Sequence, residues 1–110
     1  MRKFGRKKDQ RRALLKGLVV NLITHGRIKT TQARAKETRV LAERLVTYAK
    51  KGDLAGRRNL GKFLPLSAAK KLSREIAPRF KERAGGYVRI IKLGRRMSDS
   101  AEMVILEFVE

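Results

Sequence analysis

The amino-acid sequence predicts an α/β (α+β) fold in which helices pack on a small three-stranded sheet, behind a basic, disordered N-terminal arm. Most of the chain repeats its apolar residues with helical spacing, whereas the C-terminal part changes to runs of β-branched residues. A short β-branched segment at residues 27–30 supplies a further strand. The predicted order of elements is α-β-α-α-α-β-β, within one globular domain over residues 9–110.

The N-terminal arm, defined here as residues 1–8, opens a segment of very high positive charge. The stretch MRKFGRKKDQRR holds seven Lys or Arg residues and a single acid, Asp9. Like charges repel one another, and Phe4 is the only apolar residue after the first methionine, so the arm is predicted to be disordered in free solution. Its charge predicts a polyanionic partner.

The first two helices are marked by an apolar stripe and by capping residues. Asp9 is a plausible N-cap for a helix that reads from Ala13 to His25, since helix-spaced leucines, valine and isoleucine follow it. After the strand, Thr30 or Thr31 can cap a second helix that continues to about Lys51. The inward stripe predicted for this second helix is Ala35, Thr38, Leu41, Ala42, Leu45, Val46, Tyr48 and Ala49.

Shorter helices and a hairpin complete the predicted fold. Residues 53–64 form a weaker helix that Pro65 closes, and Ser67 can cap a further helix that Pro78 breaks. YVRIIKL and AEMVILEFV then read as two strands joined by the basic loop GRRMSDS.

Composition excludes several classes of function. The net charge is +19, there is no Cys, and there is one His, so disulfides, thiolate metal sites and His-based metal sites are not expected. No apolar run approaches the roughly 20 residues that cross a bilayer. The carboxylates are scattered, with no acid–base pair, and His25 is expected to pack or cap rather than to catalyse. We therefore expect no enzyme activity, no cofactor, no small-molecule substrate and no membrane partner.

Charge of this size predicts nucleic-acid binding through phosphate. Paired arginines in irregular segments and a helix start flanked by cations and hydroxyls are typical phosphate-binding elements. The sequence has no helix-turn-helix, zinc finger or RRM motif, which favours recognition of shape and phosphate in structured RNA. The candidate RNA-binding residues are Arg2, Lys3, Arg6, Lys7, Lys8, Arg11, Arg12, Lys16, Arg27, Lys29, Thr30, Thr31, Lys36, Arg57, Arg58, Arg89, Arg95 and Arg96.

Three segments, GRIKTTQARAKETR, RAGGYVRIIKLGRR and SAEMVILEFVE, together resemble the bacterial-type large-subunit ribosomal protein L17 family. The arm resembles the family as well, since it contains a Gly-Arg-Lys sequence, here Gly5-Arg6-Lys7. The resemblance extends over essentially the whole chain. It implies helices against a small sheet and a structural role in the large ribosomal subunit, in the cytoplasm. It also implies contacts with large-subunit ribosomal RNA and with neighbouring ribosomal proteins near the outer end of the peptide exit tunnel. Two alternatives remain open. Charge alone supports a nucleoid-type non-specific DNA-binding protein. The amphipathic first helix gives thin support to a basic membrane-surface protein, since its polar side carries only Arg12 and Lys16.

Overall fold

The computed structural model describes residues 2–109, with side chains for residues 8–109. Its helices are α1 (Arg2–His25), α2 (Gln32–Lys51), α3 (Leu54–Phe63) and α4 (Leu66–Lys71). The strands are β1 (Arg27–Thr31), β2 (Val88–Arg95) and β3 (Glu102–Phe108). The predicted fold class and the predicted order of elements are both confirmed.

The ends of α2 and α3 follow from their capping residues. Thr31 precedes α2 and its hydroxyl accepts a hydrogen bond from the Arg34 N–H at 3.4 Å. Gly52 ends α2 in the left-handed conformation, with φ +66°, which glycine adopts without steric cost. Asp53 then caps α3 by accepting from the Gly56 N–H at 2.7 Å. The prediction that Thr30 or Thr31 caps α2 is therefore resolved in favour of Thr31.

The start of the first helix differs from its prediction. The helix begins at Arg2 rather than at Ala13, so Asp9 lies inside α1 and is not an N-cap. The backbone of residues 2–8, predicted as disordered, continues α1 in this structure. Lys and Arg are good helix formers, and nothing after Gly5 breaks the helical pattern, so local propensity favours helix where charge repulsion opposes it.

Three further local predictions differ from the structure. Ser67 does not cap α4: Pro65 precedes the helix, whose first residue is Leu66, and no side chain caps it. The helix expected to continue through Ile76 is α-helical only to Lys71, and a π-helical turn, Leu72–Ile76, and a 3₁₀ turn, Ala77–Phe80, follow. Pro78 lacks a backbone N–H and favours such a change of helix type. His25, expected to pack or cap, is exposed in the last turn of α1.

The three strands form one antiparallel sheet in the order β1-β3-β2. The sequence predicted this joining of the short strand to the C-terminal hairpin. A bulge between Lys92 and Gly94 shifts the register near the hairpin loop. Side chains alternate between two faces. Thr30, Val88, Val104 and Leu106 are buried on the inner face, against the helices, whereas Arg27, Lys29, Arg89 and Ile91 are exposed on the outer face.

One hydrophobic core joins the helices to the inner face of the sheet. α1 contributes Val19, Leu22 and Ile23, while Leu14, predicted for the same stripe, is 41% exposed. Phe80 is fully buried beside Tyr87, with ring centroids 5.1 Å apart. The residues of α2 that are buried are Ala35, Thr38, Ala42, Leu45, Val46 and Ala49. Leu41 and Tyr48 of the predicted stripe are half-buried.

Polar contacts connect elements that are distant in sequence. Lys50 of α2 donates to the Arg83 carbonyl and to the Tyr87 hydroxyl, the latter at 2.9 Å. Lys71 donates at 2.7 Å to the carbonyl of Thr24, near the C-terminus of α1. A cation at this end of a helix satisfies a free carbonyl and opposes the negative end of the helix dipole. Within residues 2–109, no helix combines the length and hydrophobicity that a membrane span needs.

Candidate nucleic-acid interface

The exposed cations of α1 form the first basic region. Lys8, Arg11, Arg12 and Lys16 are all exposed. Lys8, Arg12 and Lys16 are four residues apart, which places them along one side of the helix. The Lys16 ammonium lies 5.9 Å from the centre of the Phe63 ring, a cation–π contact that links α1 to α3. The candidate residues Arg2, Lys3, Arg6 and Lys7 lie outside the residues whose side chains the structure describes.

A groove beside α1 adds a cation that sequence reasoning missed. Arg12 and Lys16 line it on one side, and Arg44 of α2 lines it on the other. Leu15, Phe63 and the acid Glu37 also line it. A depression next to it also brings Arg34 close to Arg11. The exposed side of α2 carries many polar residues, so no local pattern distinguishes Arg34 and Arg44 from solvated cations.

The outer face of the sheet is the second basic region. Arg27 and Lys29 of β1 and Arg89 of β2 are exposed on it. Glu107 of β3 stands directly between Arg27 and Arg89 in the strand register. Arg89 donates to the Glu107 carboxylate from Nε at 2.7 Å, and its Nη2 lies 2.6 Å from the same oxygen. Sequence reasoning did not find Glu107, because cross-strand neighbours depend on register.

The two arginines at the hairpin loop differ in whether an acid pairs with them. Arg95 is exposed at the end of β2. Arg96 donates two hydrogen bonds to the Asp99 carboxylate, from Nε at 2.9 Å and from Nη2 at 2.7 Å. The Arg96 hydrogen bond, helped by the Ala101 N–H, lowers the pKa of Asp99 from 3.8 to about 2. In return, the hydrogen bond to Asp99 raises the pKa of Arg96 above its usual value. Arg96 is therefore already engaged, whereas Arg95 is open to a ligand.

The third basic region lies on α3 and α4. The predicted pair Arg57 and Arg58 is exposed on α3. Arg57 lines a surface depression together with Lys70 and Arg74. Lys70 and Arg74 were not candidates, and only the packing of α3 against the following helices brings them beside Arg57.

The candidate residues at the start of α2 differ in how accessible they are to a ligand. Thr30 is 6% exposed and lies on the inner face of the sheet, so its hydroxyl is withdrawn from any surface ligand. Thr31 is half-buried, and its hydroxyl already accepts from Arg34. Lys36 is exposed one turn into the helix. The predicted anion site at this helix start therefore retains its cations but not the Thr30 hydroxyl.

Very few of these cations are neutralised by acids. Among the side chains of residues 8–109 only two ion pairs form, Arg89–Glu107 and Arg96–Asp99. The same part of the chain contains no group of three His, Cys, Asp or Glu residues that could hold a metal ion. Its prominent chemical feature is exposed positive charge on several sides of the molecule, which suits contact with a folded polyanion.

Comparison with known proteins connects this chain to a family. The family model for "Ribosomal protein L17" matches residues 14–109. A relative from Clostridium acetobutylicum, named "Large ribosomal subunit protein bL17", is 54% identical over 109 residues, covering 98% of this chain and 96% of its own. The chain belongs to the ribosomal protein L17 family.

Other members with the same name support this assignment. The protein from Thermodesulfovibrio yellowstonii is 56% identical over 110 residues, covering 99% of this chain and 83% of its own. The protein from a Thermoanaerobacter species is 53% identical over 109 residues, covering 98% and 97%. The predicted resemblance to the L17 family is confirmed. Membership gives the chain a structural, non-enzymatic role in the ribosome.

Proposed function

We propose that this chain binds and stabilises large-subunit ribosomal RNA through its basic arm and basic surface, as a structural constituent that supports translation. The observation that carries the proposal is the set of exposed cations on α1, on the outer face of the sheet and on α3, of which few are paired with acids. Such a surface gains free energy when phosphates replace condensed counterions. Membership in the L17 family supports RNA as the source of those phosphates.

The arm, residues 1–8, and the body, residues 9–110, have different tasks in this proposal. The body docks on folded RNA through the exposed cations of α1 that follow the arm, through the outer face of the sheet and through α3. The arm threads between RNA helices and neutralises phosphates that would otherwise repel one another. The backbone of residues 2–8 continues α1, so the phosphate contacts of the arm lie along an extension of that helix. Arg2, Lys3, Arg6 and Lys7 supply those contacts.

Within the candidate set, the structure supports some residues more than others. Lys8, Arg11, Arg12, Lys16, Arg27, Lys29, Lys36, Arg57, Arg58 and Arg95 are exposed and make no ion pair within residues 8–109. Arg89 and Arg96 are held by acids, and Thr30 is buried, so Thr30 leaves the proposed contact set. Arg34, Arg44, Lys70 and Arg74 join it, because they share grooves with the candidates.

The finer position in the ribosome is also part of the proposal. Its partners are large-subunit ribosomal RNA and neighbouring large-subunit proteins near the outer end of the peptide exit tunnel, in cytoplasmic ribosomes. The support is the family resemblance, since neither the charge nor the fold of the chain specifies a location.

A competition experiment at several salt concentrations tests RNA binding. The purified protein binds labelled large-subunit ribosomal RNA, and unlabelled structured RNA or duplex DNA of equal length competes. We expect structured RNA to compete at least about tenfold better, with log K falling by about 0.7–0.9 per phosphate contact for each decade of salt. Equal competition by duplex DNA would contradict the proposal and favour a non-specific DNA-binding protein.

A further inference from the structure

The outer face of the sheet places one acid among cations that are proposed to bind phosphate. Glu107 lies on the central strand, β3, with Arg27 opposite it on β1 and Arg89 opposite it on β2. Directly opposed residues in neighbouring strands have Cβ atoms about 4.5–5.5 Å apart, close enough for these side chains to interact. An acid at this position lowers the attraction of the face for a polyanion, so its presence needs an explanation other than charge.

The geometry of the pair shows what Glu107 does to Arg89. One carboxylate oxygen, Oε1, accepts from Nε at 2.7 Å and lies 2.6 Å from Nη2. The Glu107 side chain is 15% exposed, whereas that of Arg89 is 57% exposed. The largely covered carboxylate therefore holds the guanidinium through its Nε–Nη2 edge, here called the inner edge, and the Nη1–Nη2 edge is called the outer edge.

The outer edge of Arg89 remains a complete phosphate-binding group. A guanidinium has five N–H donors in a rigid plane, and contact through Nε and Nη2 leaves the Nη1–Nη2 edge open. That edge can donate two parallel hydrogen bonds to one phosphate. A free arginine on a strand samples many rotamers, and binding would have to fix one of them. Arg89 is already held in place before a ligand arrives.

We propose that Glu107 is a positioning residue, which orients Arg89 so that its outer edge binds a phosphate of the RNA backbone on the same sheet face as Arg27 and Lys29. The inference rests on the proposed function. It adds that an acidic residue, Glu107, increases RNA affinity by holding Arg89 in place. The remainder of the face agrees with this arrangement. Arg27 and Lys29 are exposed on β1, across the central strand from Arg89, and make no ion pair within residues 8–109.

The test is a set of charge-matched substitutions, measured by binding to protein-free large-subunit ribosomal RNA at fixed salt. Glu107→Gln and Glu82→Gln each remove one negative charge, but Glu82 is exposed after the 3₁₀ turn and makes no ion pair within residues 8–109. Simple electrostatics predicts slightly tighter binding for both variants. We expect Glu82→Gln to bind as tightly as the wild type or tighter, and Glu107→Gln to bind about three- to tenfold more weakly. Binding by Glu107→Gln that equals that of Glu82→Gln overturns the inference.

A second background separates positioning from a merely structural role. In an Arg89→Gln protein the carboxylate has lost the arginine with which it pairs and mainly repels phosphate. Adding Glu107→Gln should then restore affinity rather than reduce it further. A loss of affinity of the same size in both backgrounds overturns the proposal.

Arg89→Lys provides a readout that leaves residue 107 unsubstituted. It keeps the charge but loses the planar fork, so we expect three- to tenfold weaker binding with an unchanged salt slope. Wild-type affinity in this variant overturns the inference even where Glu107→Gln fails to fold. Failure of the wild-type protein itself to bind RNA overturns the proposed function, and this result is distinguishable because it needs no variant.

Discussion

The Glu43 carboxylate of α2 accepts a hydrogen bond from the backbone N–H of Val88, the first residue of β2, at 2.8 Å. The two residues are 45 positions apart in the chain, and both are at least half-buried. The contact fixes the start of β2 against the helix that covers the sheet. Because Arg89 is the next residue, the same hydrogen bond helps to set which residues of β2 face outward.

Loss of this acceptor is expected to destabilise the fold. Glu43→Ala leaves the Val88 N–H without a partner in a partly buried place, which costs about 1–3 kcal/mol of the free energy of unfolding. Glu43→Gln keeps a carbonyl oxygen at the same reach and should cost less than about 1 kcal/mol. Urea denaturation of the three proteins measures both values. Equal stability of Glu43→Ala and the wild type would show that the contact contributes nothing.

Two glycines of α3 are expected to respond in opposite directions to alanine. A Cβ at Gly56 would lie 2.6 Å from the Tyr48 carbonyl oxygen of α2, so Gly56→Ala must push the helices apart and should cost about 1–3 kcal/mol. Gly61 is exposed, and a Cβ there meets nothing within 4 Å. Gly61→Ala should therefore stabilise the protein by about 0.5–1 kcal/mol. Thermal unfolding with both variants checks the close approach of α2 and α3, and stabilisation by Gly56→Ala would contradict it.

The hairpin loop is expected to keep its ion pair far into acid. The pKa of Asp99 is about 2 in the folded protein and 3.8 ordinarily, so the unfolded chain binds the proton first as the pH falls. The stabilisation from the pair is therefore present above about pH 4 and is lost as the pH falls through about 2. An NMR titration of the Asp99 carboxyl carbon measures this pKa directly. Arg96→Gln should return it towards its ordinary value, and Arg95→Gln, the matched control, should leave it near 2.

Deletion of residues 1–8 is expected to separate RNA binding from folding. Within residues 8–25 of α1 the first buried residue is Val19, and residues 8–14 are exposed, so the truncated protein should unfold at the same urea concentration as the full chain. It loses about two turns of helix, so total helical content is not the discriminating signal. RNA affinity and its salt slope should both fall. A lower urea midpoint would show instead that the arm is part of the folded body.

Much of the fold could be predicted because local chemistry and tertiary packing agree. Thr31, Gly52 and Asp53 have the side chains or conformational freedom that helix ends require, and the β-branched hairpin has no competing helical period. The wrong predictions arise where two local signals compete. Asp9 looks like a cap, but strong helix formers continue before it, and Ser67 looks like a cap one residue after the helix has already begun at Leu66.

The candidate site was predictable only in part, because charge can be counted in a sequence but partners cannot. The exposure of Arg57 and Arg58 follows from their position in a short polar helix, and that of Arg95 from its position at the loop end of β2. The burial of Thr30 and the pairing of Arg89 with Glu107 depend on which sheet face each residue occupies, and a one-residue shift would reverse both. Arg44 enters the α1 groove only through the packing of α2 against α1.

Sedimentation of a tagged copy through a sucrose gradient tests the central claim most directly. Heavy fractions from a lysate are washed with rising salt, with the chain lacking residues 1–8 run in parallel. We expect the full chain to co-sediment with the large ribosomal subunit and to resist moderate salt, and the truncated chain to be released at lower salt. Sedimentation with the nucleoid, or full-length protein that stays at the top of the gradient, would contradict a structural role on ribosomal RNA.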